Sequence, residues 1–200
     1  DAAGVGRAVG IIDQTRLPHA FVTVRLRDVA DAAHAIRAML VRGAPLIGAT
    51  AAYGVALAVN DDPGDAALDA ACARLVETRP TAINLRWALD EMRRALANQP
   101  PGDRPRIAWR RAAEICDEDV EINRAIGRAG LDLIRAAAAG KPAGAPVNVL
   151  THCNAGWLAT MDWGTATAPI YMAHDAGLPV HVWVDETRPR NQGAALTAWE

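Results

Sequence analysis

A chain of 200 residues, 51% hydrophobic and 22% charged with a formal net charge of -2, has the profile of a folded protein with a sizeable core. That profile excludes a disordered tail, a collagen-like repeat and a disulfide-rich mini-fold. Twenty of its 21 basic residues are Arg, with Lys141 the exception, but 23 acidic residues offset them, so no basic field is available for nucleic acid.

Val9 to Ile12 and Phe21 to Leu26 are short β-branched and apolar runs separated by Thr15-Arg16-Leu17-Pro18, a pattern that predicts two strands joined by a turn. From Asp28, the apolar positions Val29, Ala32, Ala33, Ile36, Met39 and Leu40 recur at helical spacing. They predict a helix ending near Val41, with Gly43 as its C-terminal cap. Pro45 suits the first turn of a second helix through Val59, whose Gly48, Ala49, Ala51, Ala52 and Gly54 allow close helix contacts. Asp61-Asp62-Pro63-Gly64 stops it. Two further helices are expected, from about Thr81 to Asn98 and, continuous or broken, from about Ile107 to Ala138. Ala139 to Pro146 holds two Pro and two Gly in eight residues and is the best boundary in the chain. Beyond it, a strand at Val147 to Leu150, a helix at Thr165 to Ala176, a turn at Gly177-Leu178-Pro179 and a strand at Val180 to Val184 form a β-α-β unit. Such a unit builds a parallel sheet by a right-handed crossover. Two parallel strands leave faces and edges uncovered, so more strands are expected after Glu200. A start at Asp1 rather than Met, and a stop at the beginning of a helix, read as a fragment of a longer chain.

Three cysteines, Cys72, Cys116 and Cys153, lack C-x-x-C spacing and fit reduced cytoplasmic thiols, predicting neither a disulfide framework nor a zinc site. The longest uncharged apolar run, Leu46 to Val59, falls short of the about 18–20 residues that span a bilayer.

Ligands of open parallel sheets bind outside the carboxyl ends of the strands. That rule selects Thr151-His152-Cys153-Asn154-Ala155-Gly156 after the first strand of the unit and Asp185 to Gly193 after the second. Cys153 is the sharpest residue, because a thiol at a strand end acts as acid, base or nucleophile once its surroundings set its pKa. A buried, inert Cys is the competing reading. A His152–Cys153 dyad is not favoured, since neighbours on a strand point to opposite faces. Arg42-Gly43-Ala44-Pro45 offers unpaired N–H groups at a helix N-terminus beside a forked cation, a cradle for phosphate. A Gly cap followed by a Pro start accounts for the same residues without a ligand. Arg86 by itself reads as an ion pair with Asp90 one turn on. The six Trp read as core or interface packing.

Four segments, Ile12 to Pro18, Arg42 to Gly48, Thr151 to Gly156, and Asp185 to Pro189 with Asn191-Gln192-Gly193, resemble in order the signatures of the methylthioribose-1-phosphate isomerase family. The resemblance implies an α/β protein: a mainly helical N-terminal domain with a small β-sheet over 1–138, a linker at 139–146, and the start of a Rossmann-like parallel-sheet catalytic domain over 147–200. It implies a cytoplasmic homodimer acting on a sugar phosphate without metal or organic cofactor. The reaction converts 5-methylthioribose 1-phosphate to 5-methylthioribulose 1-phosphate in methionine salvage. Carried over by motif, Arg42, Gly43, Ala44, Arg86 and Gln192 bind substrate and Cys153 is catalytic. The family's catalytic Asp and an Asn-Lys pair are expected after Glu200, so the 200-residue piece by itself is expected to be inactive. Asp162, Asp175 and Asp185 do not occupy the matching motif. Related alternatives are isomerisation of ribose 1,5-bisphosphate or 5-deoxyribose 1-phosphate, and a non-catalytic role like the initiation-factor regulatory subunits that share the fold.

Overall fold

The computed structural model describes residues 7–200; residues 1–6, the start of the expected helical domain, lie outside the described residues. The chain divides into two compact units, 1–116 and 117–200. The division falls inside a long helix, and of the 139–146 segment Ala139 ends that helix while 140–146 form the loop to the first strand of the parallel sheet.

In the first unit, β1 (Val9–Ile12) pairs antiparallel with β2 (Thr23–Leu26), from Val9 opposite Leu26 to Ile12 opposite Thr23. β2 starts two residues later than the apolar run suggested, leaving Phe21 and Val22 exposed. Asp28 caps α1 (Val29–Arg37) by accepting the Asp31 N–H at 2.8 Å. This helix ends four residues before Val41, and Gly43 is not its cap. Met39 takes the left-handed position (φ 61°), so Leu40 N–H reaches back to the Ala35 carbonyl and Val41 turns into the core.

α2 (Ala44–Asp61) is apolar on all sides and accordingly buried, with α1, α3 (Asp65–Val76) and α4 (Ile83–Leu96) packed against it. α3 is an addition to the sequence reading. Its stripe of Leu68, Ala71, Cys72 and Leu75 has helical spacing but is too short and Ala-rich to stand out. α5 (Arg104–Ala139) is continuous, and Ile107, Ala108, Ala112 and Ile115 on its first half complete this unit's core. Arg104, almost fully buried, ties the start of α5 to the preceding turns by donating to the carbonyls of Pro63 (2.9 Å) and Gln99 (3.2 Å).

In the second unit, β3 (Val147–Thr151) and β4 (Val180–Val184) are parallel, in register from Val147 opposite Val180 to Thr151 opposite Val184. The crossover contains α6 (Ala168–Asp175), which starts three residues later than expected because 165–167 are bends and Pro169 occupies the first turn. Ile134 of α5, Val147 and Ala173 form a small core, and Asn148, Leu150, His181 and Trp183 on the other sheet face are exposed. Trp87 is also exposed, so core packing accounts for only some of the tryptophans. Among the described residues, no helix is long and apolar enough to cross a membrane.

Candidate functional site

The substrate residues expected in the first unit gather at two helix starts. Gly43 precedes α2 with φ 101°, a backbone conformation that strains any residue with a Cβ. It lets the chain leave Arg42 and enter the helix within one residue. Arg42 is 6% exposed and donates from Nε to the Met39 carbonyl at 3.2 Å, so the turn that ends α1 also orients the guanidinium. Ala44 opens α2, and the first-turn Pro45 has no N–H to satisfy. One turn on, Gly48 packs against α4, where a Cβ would lie 3.0 Å from the Asn84 carbonyl. That close approach brings the first turn of α4, which carries Arg86, beside α2. Arg86 is exposed and reaches the Pro80 carbonyl at 3.5 Å, rather than pairing with Asp90. The helix geometry permitted that pair, but the rotamer taken points back toward the preceding turn.

In the second unit, Asp185 N–H donates to the Thr151 carbonyl at 2.9 Å, bringing the two strand ends together as the parallel-sheet rule requires. Cys153 sits two residues past β3 with φ 69° and an exposed side chain. Cys153 is thus not a buried Cys, whereas Cys72 is buried and burial pushes its thiol up. A left-handed non-glycine residue costs about 1 kcal/mol or more and persists only where its surroundings enforce it. His152 is paired not with Cys153 but with Asp185, Nδ1 to Oδ2 at 3.7 Å, on side chains more than half exposed. At that exposure the pair is worth little energetically.

Gln192 is half-buried and follows Asn191, whose φ of 49° makes a sharp turn closed by Gln192 N–H to the Thr187 carbonyl. A five-residue π-helical turn, Gly193–Thr197, comes next, with Ala198 N–H donating to the Gly193 carbonyl at 2.8 Å. The Glu186 carboxylate accepts the N–H groups of Gly193 (2.9 Å) and Ala194 (3.2 Å), and the Thr197 hydroxyl donates to the Cys153 carbonyl at 3.2 Å. Sequence reasoning did not single out Glu186 or Thr197. Both contacts join residues far apart or across a turn, and only the position of Glu186 inside a motif hinted at a role. Thr151 Oγ1, both polar atoms of the Asn154 amide and Thr187 Oγ1 are buried at these strand ends without hydrogen-bond partners. Such groups are retained against a cost of about 1–3 kcal/mol each.

A cleft of about 420 Å³ opens elsewhere, on the α6 side of β4, and includes Val182, Tyr171 and Glu200; neither Cys153 nor Gln192 lines it. Burial pushes the Glu200 carboxyl up to about 7 and, with Glu200 beside it, the Tyr171 phenol up to about 12. The lining of the cleft mixes aliphatic residues with Thr167, Tyr171, His174, Thr197 and Glu200, and because it holds neither Cys153 nor Gln192 we place the candidate site at the strand ends, as the parallel-sheet rule directs. Among the described residues, no group of three or more His, Cys, Asp or Glu could hold a metal ion.

Residues 40–200 match the Initiation factor 2 subunit family. The chain belongs to that family. It is 66% identical over 199 residues to the methylthioribose-1-phosphate isomerase of Rhodospirillum rubrum, a match covering 98% of this chain and 51% of the relative. The 5-methylthioribose 1-phosphate isomerase of Pyrococcus horikoshii superposes with a TM-score of 0.82 at 39% identity, over 96% of this chain and 54% of that one. The translation initiation factor eIF-2B subunit delta of A. fulgidus superposes with a TM-score of 0.81 at 38% identity, over 95% and 55%. The chain thus spans about half the length of the relatives it matches. The family resemblance read from the four motifs is borne out, as is the expected fold class of a helical unit with a small sheet followed by the start of a parallel sheet.

Proposed function

We propose that the intact protein is an aldose–ketose isomerase converting 5-methylthioribose 1-phosphate to 5-methylthioribulose 1-phosphate. The observation that carries this reading is the exposed thiol of Cys153, held in a left-handed turn at the carboxyl end of a parallel strand. Identity to the R. rubrum isomerase over nearly the whole chain supports the choice of reaction.

The phosphate of this substrate sits on the anomeric carbon, so the ring cannot open to a free aldehyde as ordinary aldoses do. An acid must assist departure of the ring oxygen, after which hydrogen moves from C2 to C1, as a proton through an enolate-like intermediate or as a hydride. No net oxidation occurs. Cys153 serves as the base for the C2 proton or stabilises the migrating hydrogen. Arg42, with the N–H groups of Gly43 and Ala44, holds the phosphate dianion by charge-assisted hydrogen bonds, aided by Arg86. Gln192 hydrogen-bonds the sugar. The protein works as a cytoplasmic homodimer with no nucleic-acid partner, and the catalytic domain begins at β3 after the 139–146 linker.

The test is incubation of the intact gene product with 5-methylthioribose 1-phosphate, following ketose formation by NMR, with Cys153→Ala in parallel. Turnover abolished by Cys153→Ala is the expected result. The A. fulgidus neighbour supports a second reading, a regulatory subunit that binds without catalysis. A folded intact protein that binds sugar phosphate but leaves it unchanged would favour that reading, whereas turnover of ribose 1,5-bisphosphate or 5-deoxyribose 1-phosphate in its place would change the sugar.

A further inference from the structure

The two residues that the isomerase reading places on the substrate in the second unit, Cys153 and Gln192, are 39 positions apart in the chain but are attached to opposite ends of one short element. Gln192 immediately precedes the turn Gly193–Thr197. At the far end of that turn, the buried Thr197 hydroxyl donates to the Cys153 carbonyl at 3.2 Å, the peptide group that follows the left-handed φ of 69°. At the near end, both oxygens of Glu186 are committed, one to Gly193 N–H at 2.9 Å and the other to Ala194 N–H at 3.2 Å. These are charge-assisted hydrogen bonds to the first donors of the turn, which a helical turn cannot satisfy internally. Gly193 leaves no slack there, because a Cβ on it would lie 2.5 Å from the Asp185 carbonyl and 2.9 Å from the Glu186 Cα. The backbone of the β4 exit loop therefore abuts the turn directly.

From this we infer that the Gly193–Thr197 turn is a brace that sets Cys153 and Gln192 in a fixed relation, with Thr197 and Glu186 as its positioning residues. The inference rests on the isomerase reading for what the two braced residues do, but not for how they are held. Neither Thr197 nor Glu186 acts on substrate. Thr197 stabilises the strained turn that presents the thiol, and Glu186 pins the other end, so loosening either end frees both residues. Misplacement of a reacting group by about 1 Å costs up to about a hundredfold in rate, so a brace of this kind is worth a measurable fraction of turnover.

The experiment uses the intact protein with Thr197→Val, Thr197→Ser and Glu186→Ala. Two readouts are taken: iodoacetamide alkylation of Cys153, resolved by peptide mass spectrometry, and steady-state kinetics with 5-methylthioribose 1-phosphate. Cys72, buried in the first unit, reports on folding. Thr197→Val keeps the side-chain shape but removes the donor, and is expected to change the Cys153 alkylation rate at least about threefold and lower kcat about tenfold, with KM within about twofold. Thr197→Ser restores both to near wild type. Glu186→Ala, at an exposed position, raises KM through Gln192 and shifts Cys153 alkylation in the same direction as Thr197→Val. Cys153 alkylation within twofold of wild type in both Thr197→Val and Glu186→Ala overturns the brace, as does a Thr197→Ser variant as impaired as Thr197→Val. Should Thr197→Val expose Cys72, Thr197→Ser and Glu186→Ala decide the matter by alkylation. If the wild-type protein shows no turnover, the isomerase reading fails while the alkylation comparison still decides the brace.

Discussion

Arg104→Ala should destabilise the protein by about 3–5 kcal/mol, of which the ion pair that Arg104 makes should supply at most about 1 kcal/mol. The guanidinium is buried and has three partners: the carbonyls of Pro63 and Gln99 at 2.9 and 3.2 Å, and Asp65 Oδ1 at 2.6 Å. Each hydrogen bond from a charged donor is worth about 1.5–3 kcal/mol, and truncation leaves the two carbonyls with a desolvation penalty. Asp65 is 84% exposed. A pair so open to water contributes at most about 1 kcal/mol, so Asp65→Asn should cost less than that. Arg104→Met, which keeps most of the buried alkyl length, should recover only the packing part, leaving about 2–4 kcal/mol lost. Urea unfolding of the intact variants, monitored by circular dichroism with the slope checked for constancy, measures all three. Equal losses for Arg104→Ala and Asp65→Asn, or a loss below about 1 kcal/mol for Arg104→Ala, would refute the assignment of the energy to the carbonyl contacts.

Arg42→Ala should raise KM for a sugar phosphate by about 10- to 100-fold, the equivalent of one or two charge-assisted hydrogen bonds, and Arg42→Lys should recover little because the fork is lost; steady-state kinetics on the intact protein checks both. Gly43→Ala forces a Cβ onto φ 101° and should cost about 1–2 kcal/mol of stability by denaturant titration, together with a rise in KM. Asp119 accepts the Met161 N–H at 2.9 Å, and burial raises its carboxyl above the ordinary range. With the folded value above the unfolded one, the folded state holds the proton more firmly, so this group's contribution to stability is lost as pH rises through that window. Asp119→Asn, which keeps an acceptor for Met161, should therefore be at least as stable as wild type at pH 7, with the difference shrinking in acid. Asp119→Ala, which also removes the acceptor for Met161, should cost about 1–2 kcal/mol in acid and less at pH 7, staying below Asp119→Asn by the same margin throughout, and thermal unfolding at pH 4 and pH 7 separates the cases.

Much of the architecture was legible because local chemistry and burial agree. The apolar run from Leu46 to Val59 has no polar face, so it had to be a central helix, and Pro45 and Asp61-Asp62-Pro63 bounded it to within two residues. The β-α-β unit followed from two Val-rich runs flanking a helical stretch. What escaped was decided by single backbone torsions and by contacts distant in sequence. Met39 rather than Gly43 ends α1, because packing Val41 into the core repays the strain of a left-handed methionine. Arg86 turns to the Pro80 carbonyl, although its spacing to Asp90 was equally suited to an ion pair.

The candidate site divides the same way. By itself, the sequence determined which residue types stand at the helix starts and strand ends, since Gly, Pro, Arg and Cys at those positions follow from turn chemistry and from the rule that ligands sit at carboxyl ends of parallel strands. Only the tertiary structure decided that Cys153 is exposed in a left-handed turn and that Thr197 and Glu186 hold the two ends of the segment next to Gln192. The Thr197–Cys153 bond joins groups 44 positions apart that meet only where the two strand ends meet, and the Glu186 bonds close an irregular loop, so neither periodicity nor propensity carries any trace of them.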